Sequence, residues 1–240
     1  MTAARPLSSY PGSKAGAGVW QRIVSLMPPH ALYVEPYLGS GTVFYAKRPA
    51  AFSIVADRDA GLIALHLKHR RAAAAYLVAD ALQLLPSLNL TAQDLVYLDP
   101  PYHPDTRNPA IYKYETDHQH HALLLAMLQE LPCMVMLSGY DCPEYRAELG
   151  AWWREDYKAM TRGGPRIETL WCNFTPGAAF HDARYVGGNF RERERIKRKK
   201  QRWASRLAAM PPAERAAVRE ALDSLEQSTP APAMGPLGGG

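Results

Sequence analysis

Between residues 32 and 174 short apolar runs alternate with longer amphipathic stretches. Ala31–Glu35 reads as a strand closed by Pro36. Phe52–Ala56 reads as a second strand, running into the acidic turn Asp57-Arg58-Asp59. From Gly61 to Arg71 the apolar residues Leu62, Ile63, Leu65 and Leu67 keep helical spacing. Ala75–Ala79 predicts a third strand ending at Asp80, and Asp94–Leu98 a fourth, stopped at Pro100-Pro101. Thr116 with Gln119 three residues on has the form of a capping box ahead of a helix over Ala122–Leu131. Cys133–Leu137 makes a fifth strand, with Met134 and Met136 as core residues. Trp152–Met160 and Ile167–Phe174 flank Gly163-Gly164-Pro165 and read as a hairpin, with Trp152, Trp153 and Trp171 packing rather than binding.

Strands that alternate with helices predict a mostly parallel sheet covered on both faces. The hairpin adds an antiparallel edge. After Gly188 the pattern changes. Phe190–Met210 is a basic helical stretch, Pro211-Pro212 breaks it, and Ala213–Gln227 reads as another helix. The Pro/Gly-rich tail from Ser228 is expected to be disordered. The organisation expected is thus a domain over 1–188, a basic helical extension over 189–227 and a tail over 228–240.

Composition narrows the classes. The chain has 240 residues, 47% of them hydrophobic and 21% charged, enough for an unstapled core. Three cysteines, none in a CxxC pair, disfavour a disulfide framework or a zinc knuckle and suit a reducing cytoplasm. No apolar run approaches a membrane span, and the N-terminal segment lacks the apolar stretch of a signal peptide. A cytoplasmic monomer without membrane contact is expected. The net charge of +5 is localised: Arg191–Arg206 holds nine basic and two acidic residues, a net +7, which leaves −2 for the rest. Such a block suits phosphate backbones, although solvated charged helices are commoner.

In open α/β sheets ligands bind beyond the carboxyl ends of strands. Four such ends carry distinctive residues. Glu35-Pro36-Tyr37-Leu38-Gly39-Ser40-Gly41 follows the first strand, and its glycines allow close backbone approach to a ligand. Phe44 stands where a dinucleotide fingerprint needs a small residue, and no phosphate-binding P-loop occurs. Asp57 after the second strand can accept ribose hydroxyls, while Asp59 suits a helix cap better. Asp80 after the third is equally a cap or a ligand contact. Asp99-Pro100-Pro101-Tyr102 follows the fourth. Its carboxylate and the Pro100 carbonyl are two acceptors for an exocyclic amine, the prolines stiffen the loop, and Tyr102 offers a stacking face. His118 and His121, three apart, lack an evident third ligand, and no metal is expected.

Together these segments resemble the Dam-like (D12 class) DNA adenine-N6 methyltransferases, in particular phage-type members. Tyr10 to Lys14, Val34 to Gly41, Ala56-Asp57 and the DPPY tetrapeptide at 99–102 occur in that family's order. Leu137 to Tyr140 and Thr169 to Asn173 look like its later segments. The resemblance implies a Rossmann-like, S-adenosylmethionine-dependent methyltransferase fold and methylation of adenine N6 in DNA, the chemistry of restriction-modification. It implies catalysis by Asp99, Pro100, Pro101 and Tyr102, and cofactor binding by Tyr10, Lys14, Glu35, Pro36, Gly39, Gly41, Asp57 and Asp80. One departure stands out. Only 57 residues separate Gly41 from Asp99, leaving no room for the target-recognition insert of comparable members. Nucleic-acid contacts are therefore expected from His103–Glu115 (Arg107, Tyr112, Lys113), from the hairpin turn at Arg162, and from Arg195, Lys197, Arg198, Lys199 and Lys200 of the basic helix. Cytosine N4, RNA or protein as acceptor, and a non-catalytic DNA-binding protein, are the alternative readings.

Overall fold

The structure, a computed structural model, describes residues 14–16, 18–106, 114–161 and 164–227. Seven strands form one sheet: β1 (Leu32–Glu35), β2 (Phe52–Asp57), β3 (Ala74–Val78), β4 (Leu95–Leu98), β5 (Met134–Gly139), β6 (Trp153–Thr161) and β7 (Gly164–Cys172). Their order is β3-β2-β1-β4-β5-β7-β6. The first five run parallel. β7 inserts antiparallel between β5 and β6. This is the mostly parallel, Rossmann-like sheet with an antiparallel terminal hairpin expected from the sequence.

The helices between strands are α1 (Val19–Leu26), α2 (Thr42–Ala46), α3 (Ala60–Leu67), α4 (Ala81–Leu84), α5 (His118–Glu130) and α6 (Pro143–Glu148). Alternate side chains of the central strands feed two cores. Tyr33, Leu95, Tyr97 and Met136 pack on one face with α1 and α2. Val34, Val96, Leu98, Val135 and Leu137 pack on the other with α5 and α6. A strand buried on both faces reads as a continuous apolar run, which is why β4 and β5 stand out in the sequence. Met134, Met136 and Trp171 are core residues, as expected, and Trp152 and Trp153 pack partly buried against the two cores. Cys133, Cys142 and Cys172 are buried free thiols.

Three local expectations change. β3 lies one residue earlier than its apolar run suggested. The capping box is not used: Asp117, not Thr116, caps α5, its carboxylate accepting the His120 N–H at 2.8 Å, and the helix starts at His118. An ionised carboxylate against the positive end of a helix is the stronger acceptor. The Thr116 hydroxyl turns instead to His121 Nε2 (3.0 Å) and the Pro101 carbonyl (3.3 Å). Helices α1, α2 and α6 are not among the predicted elements; α2 and α6 are too short, at five and six residues, to show a helical period. Beyond the sheet, α7 (Phe190–Ala209) has no buried residue, and α8 (Pro212–Gln227) starts with a proline at the position that tolerates it. The tail over 228–240 lies outside the described residues. No described helix is long and apolar enough to cross a membrane.

Candidate active site at the strand-order switch

The sheet order reverses at β1, which has β2 on one side and β4 on the other. In an open α/β sheet this switch point opens a crevice at the carboxyl ends. The loops after β1 and β4 flank it, so the sheet brings Glu35, Gly39 and Gly41 beside Asp99. The first loop is tightly specified. Gly39 and Gly41 hold φ of 48° and 67°, a region that favours glycine. A Cβ on Gly41 would come 2.8 Å from the Tyr45 ring. Asp57 accepts the N–H of Gly39 (2.9 Å) and of Asp59 (3.0 Å), tying the loop to the end of β2. His66 contacts the Gly39 carbonyl from α3 at 2.9 Å. Asp59 caps α3, as its position suggested. Phe44 is fully buried against the β1 side of the core.

Asp99 sits at the mouth of the crevice with about 20% of its side chain exposed. Lys14, itself buried, donates to Asp99 Oδ1 at 2.7 Å and lies 3.1 Å from Glu168 Oε2. Glu168, on β7, also accepts the hydroxyls of Tyr102 (3.0 Å) and Tyr157 (3.1 Å). The Tyr157 hydroxyl in turn meets Ser138 on β5 at 3.0 Å. One buried network thus links the N-terminal segment, the loop after β4 and the hairpin. Glu168, Tyr157 and Ser138 escaped the sequence reading. The sequence carries a partial signal for Glu168: it is an acid inside the apolar run Ile167–Phe174.

The charges of this network are set by burial and by each other. Burial pushes the Asp99 carboxyl up to about 6, against the opposing pull of Lys14. Burial alone would lower the Lys14 ammonium, but the two carboxylates outweigh it and hold it well above the usual lysine value. Burial likewise pushes Glu35 up to about 8, with the Tyr33 hydroxyl at 2.7 Å opposing the shift. Asp57 is raised by burial, against its two backbone donors. No second hydrogen bond to the Asp99 carboxylate, and none to the Pro100 carbonyl, is seen among the described residues. Tyr97 Oη is buried without a partner near Asp99, Lys14 and Glu35.

Other expected positions divide. Asp80 caps α4 through the Leu82 N–H (2.8 Å) and pairs with Arg58 (2.8 Å), so both its oxygens are engaged. It also lines an open groove of about 610 Å3 with Arg58, Val78 and Tyr114. Pro36 opens the turn after β1. Tyr102 is buried with its ring 4.2 Å from that of Tyr140, so Tyr140 covers the face expected to stack on a base. Arg195, Lys197, Arg198, Lys199 and Lys200 lie on α7, remote from the crevice in sequence and exposed or nearly so. Tyr10, Arg107, Tyr112, Lys113 and Arg162 lie outside the described residues. His121 is core: its ring nitrogens meet Thr116 (3.0 Å) and the Tyr145 hydroxyl (2.9 Å).

Several solved structures are similar to this chain. The N-methyltransferase NodS from Bradyrhizobium japonicum is similar over 65% of this chain and 93% of its own, at 12% identity and a TM-score of 0.46. The 23S rRNA methyltransferase ErmE is similar over 75% of this chain and 82% of its own, at 16% identity and 0.44. An rRNA methylase from Streptococcus thermophilus is similar over 64% and 91%, at 11% and 0.42. No curated protein sequence matches the chain. Over residues 86–149, from the turn before β4 to the end of α6 and with Asp99 to Tyr102 inside it, the chain matches the family model of the D12 class N6 adenine-specific DNA methyltransferases, which bears out the resemblance read from its sequence.

Proposed function

We propose that this chain is a methyltransferase that uses S-adenosylmethionine to methylate adenine N6 in DNA. The observation that carries the reading is Asp99: a half-neutralised carboxylate at the switch point, one oxygen held by Lys14, inside the segment that matches the D12 class model. When bound, the cofactor supplies an electrophilic methyl group on a sulfonium. The residues present fit such a cation. Glu35 offers a carboxyl beside the crevice at the end of β1, and Asp57 lies at the end of β2. A cation beside Glu35 draws that carboxyl back to its charged form. Gly39 and Gly41 let the loop approach the ligand, and Lys14 closes the pocket from the N-terminal side.

On the acceptor side, Asp99 and the Pro100 carbonyl accept hydrogen bonds from the two amino N–H groups of adenine. This orients the nitrogen and raises its electron density. Much of the rate then comes from holding two reactants in line. The adenine has to leave the duplex, at a cost of a few kcal/mol, and Tyr140, which covers Tyr102, is the aromatic face that meets it. The test is transfer of labelled methyl groups to unmethylated DNA, followed by identification of the modified nucleoside. N6-methyladenine is expected. Label in RNA or protein instead, or no cofactor binding at all, overturns the assignment.

Asp99 is the stronger hydrogen-bond acceptor when ionised. With its carboxyl near 6, kcat/KM is expected to rise with pH and level off above a midpoint of about 6. Lys14 lowers that midpoint, so Lys14→Met is expected to move the acid limb to higher pH. A pH profile of labelled transfer reads both, and an unshifted limb in the variant sinks the role of Lys14.

The organisation over 1–188 and 189–227 extends this reading. The first part is the catalytic domain, and α7 grips the phosphate backbone in place of an insert. Replacing Arg195, Lys197, Arg198, Lys199 and Lys200 with Gln is expected to weaken DNA binding and flatten the slope of log K against log salt by about 0.9 for each phosphate no longer neutralised. An unchanged slope removes α7 from recognition.

A further inference from the structure

The loop that leaves Tyr102 brings together groups that the reaction above does not use. His103 follows Tyr102 directly and its side chain is 2% exposed. Its Nε2 lies 2.7 Å from Glu144 Oε2, in the first turn of α6. Its ring meets that of His118, the first residue of α5, at a centroid distance of 4.8 Å and 75° between planes. One ligand atom from each of His103, His118 and Glu144 lies within 4.8 Å of the others. Asp105 stands alongside, its carboxylate 3.8 Å from His103 Nδ1 and 3.4 Å from His118 Nε2. Two imidazoles and two carboxylates thus converge from three segments far apart in sequence.

We propose that His103, His118 and Glu144 bind one divalent ion of the zinc class. Two imidazoles and a carboxylate are a borderline donor set suited to such ions. The charges of Glu144 and Asp105 balance those of the ion. Bond lengths of 2.0–2.2 Å set ligand atoms about 3.3–3.6 Å apart in a tetrahedral site. To reach that value the 2.7 Å His103–Glu144 spacing has to open and His118, whose side chain is 61% exposed, has to swing in. The Asp105 N–H points at His103 Nδ1 at 3.3 Å, which assigns the ring proton to Nε2 in the metal-free state. With the ion on Nε2 the proton moves to Nδ1, the Asp105 N–H has to turn away, and the Asp105 carboxylate, now 3.8 Å off, accepts from Nδ1, the arrangement that orients metal-bound imidazoles elsewhere. The ion clips the loop after Tyr102 to the starts of α5 and α6. In the sequence His118 pairs only with His121 and no third ligand is evident, so no metal is expected there. His121 is committed to Thr116 and Tyr145, and the missing partners come from His103 and Glu144.

The test is a titration of tag-free, metal-stripped protein with zinc(II) against a chromophoric chelator, with cobalt(II) absorption reporting the coordination. One equivalent per chain is expected. His118→Ala removes an exposed side chain and leaves the fold intact. It and Glu144→Gln are each expected to weaken zinc at least about tenfold, while His69→Ala, at another exposed histidine, leaves it unchanged. No competition by the wild-type chain, or equal affinity in His118→Ala, overturns the site and leaves His103 and Glu144 as a hydrogen-bonded clip. The readout contains no methyl donor, so it stands or falls separately from the proposed transfer.

Discussion

Asp99→Ala is expected to lower methyl transfer by about 10³-fold while leaving S-adenosylmethionine binding within a few-fold of the wild type. The residue stands at the carboxyl end of β4, where one carboxylate oxygen is fixed by Lys14 and the other has no partner among the described residues. The contacts proposed for the cofactor belong to different strands: Glu35 ends β1, Gly39 and Gly41 follow it, and Asp57 closes β2. Removing Asp99 therefore strips the amine acceptor without unbuilding the glycine loop. Calorimetric titration of the cofactor beside single-turnover transfer separates the two effects. Near-wild-type transfer in the variant refutes the mechanism, and loss of both functions reassigns Asp99 to the cofactor pocket. Asp99→Asn sharpens the test, because it keeps the shape and one acceptor but presents an amide in place of the charge.

Much of this site is legible before any coordinates, and the reason is local. β1, β2 and β4 are short apolar runs ended by Pro36, Asp57 and Pro100, so their carboxyl ends are marked in the chain itself. Ligands in such sheets gather at those ends, which selects Glu35, Asp57 and Asp99 together. The hairpin is announced by Gly163-Gly164-Pro165. What was not legible depends on sheet order. Ser138, Tyr157 and Glu168 meet only because β7 inserts between β5 and β6. That pairing is fixed by long-range packing, which no local period encodes. The same holds for His103 and Glu144. At the start of α5 the misreading was local: Thr116 and Gln119 fit the capping-box spacing, yet Asp117 one residue later competes for the same helix end and takes it.

Glu168→Ala is expected to cost about 3–5 kcal/mol of stability, on the order of 10 °C in Tm, because it breaks a buried ion pair and removes an acceptor shared by two tyrosine hydroxyls. The carboxylate serves three donors at once: Lys14 and Tyr157 on Oε2, and Tyr102 on Oε1. Thermal unfolding followed by circular dichroism reads the loss, and an unchanged Tm denies the network its role. Glu168→Gln separates stability from chemistry, because the amide keeps the size of the side chain and removes its charge. Glu168 raises the Asp99 carboxyl and Lys14 lowers it. Neutralising Glu168 therefore moves the acid limb of transfer to lower pH, while Lys14→Met moves it to higher pH. A residue that merely holds β7 in place shifts neither limb, so opposite displacements in the two variants identify Glu168 as a positioning residue acting on Asp99 through shared charge. If both limbs move together, or neither moves, the pair is packing alone and the proton-accepting state of Asp99 is set by burial without them.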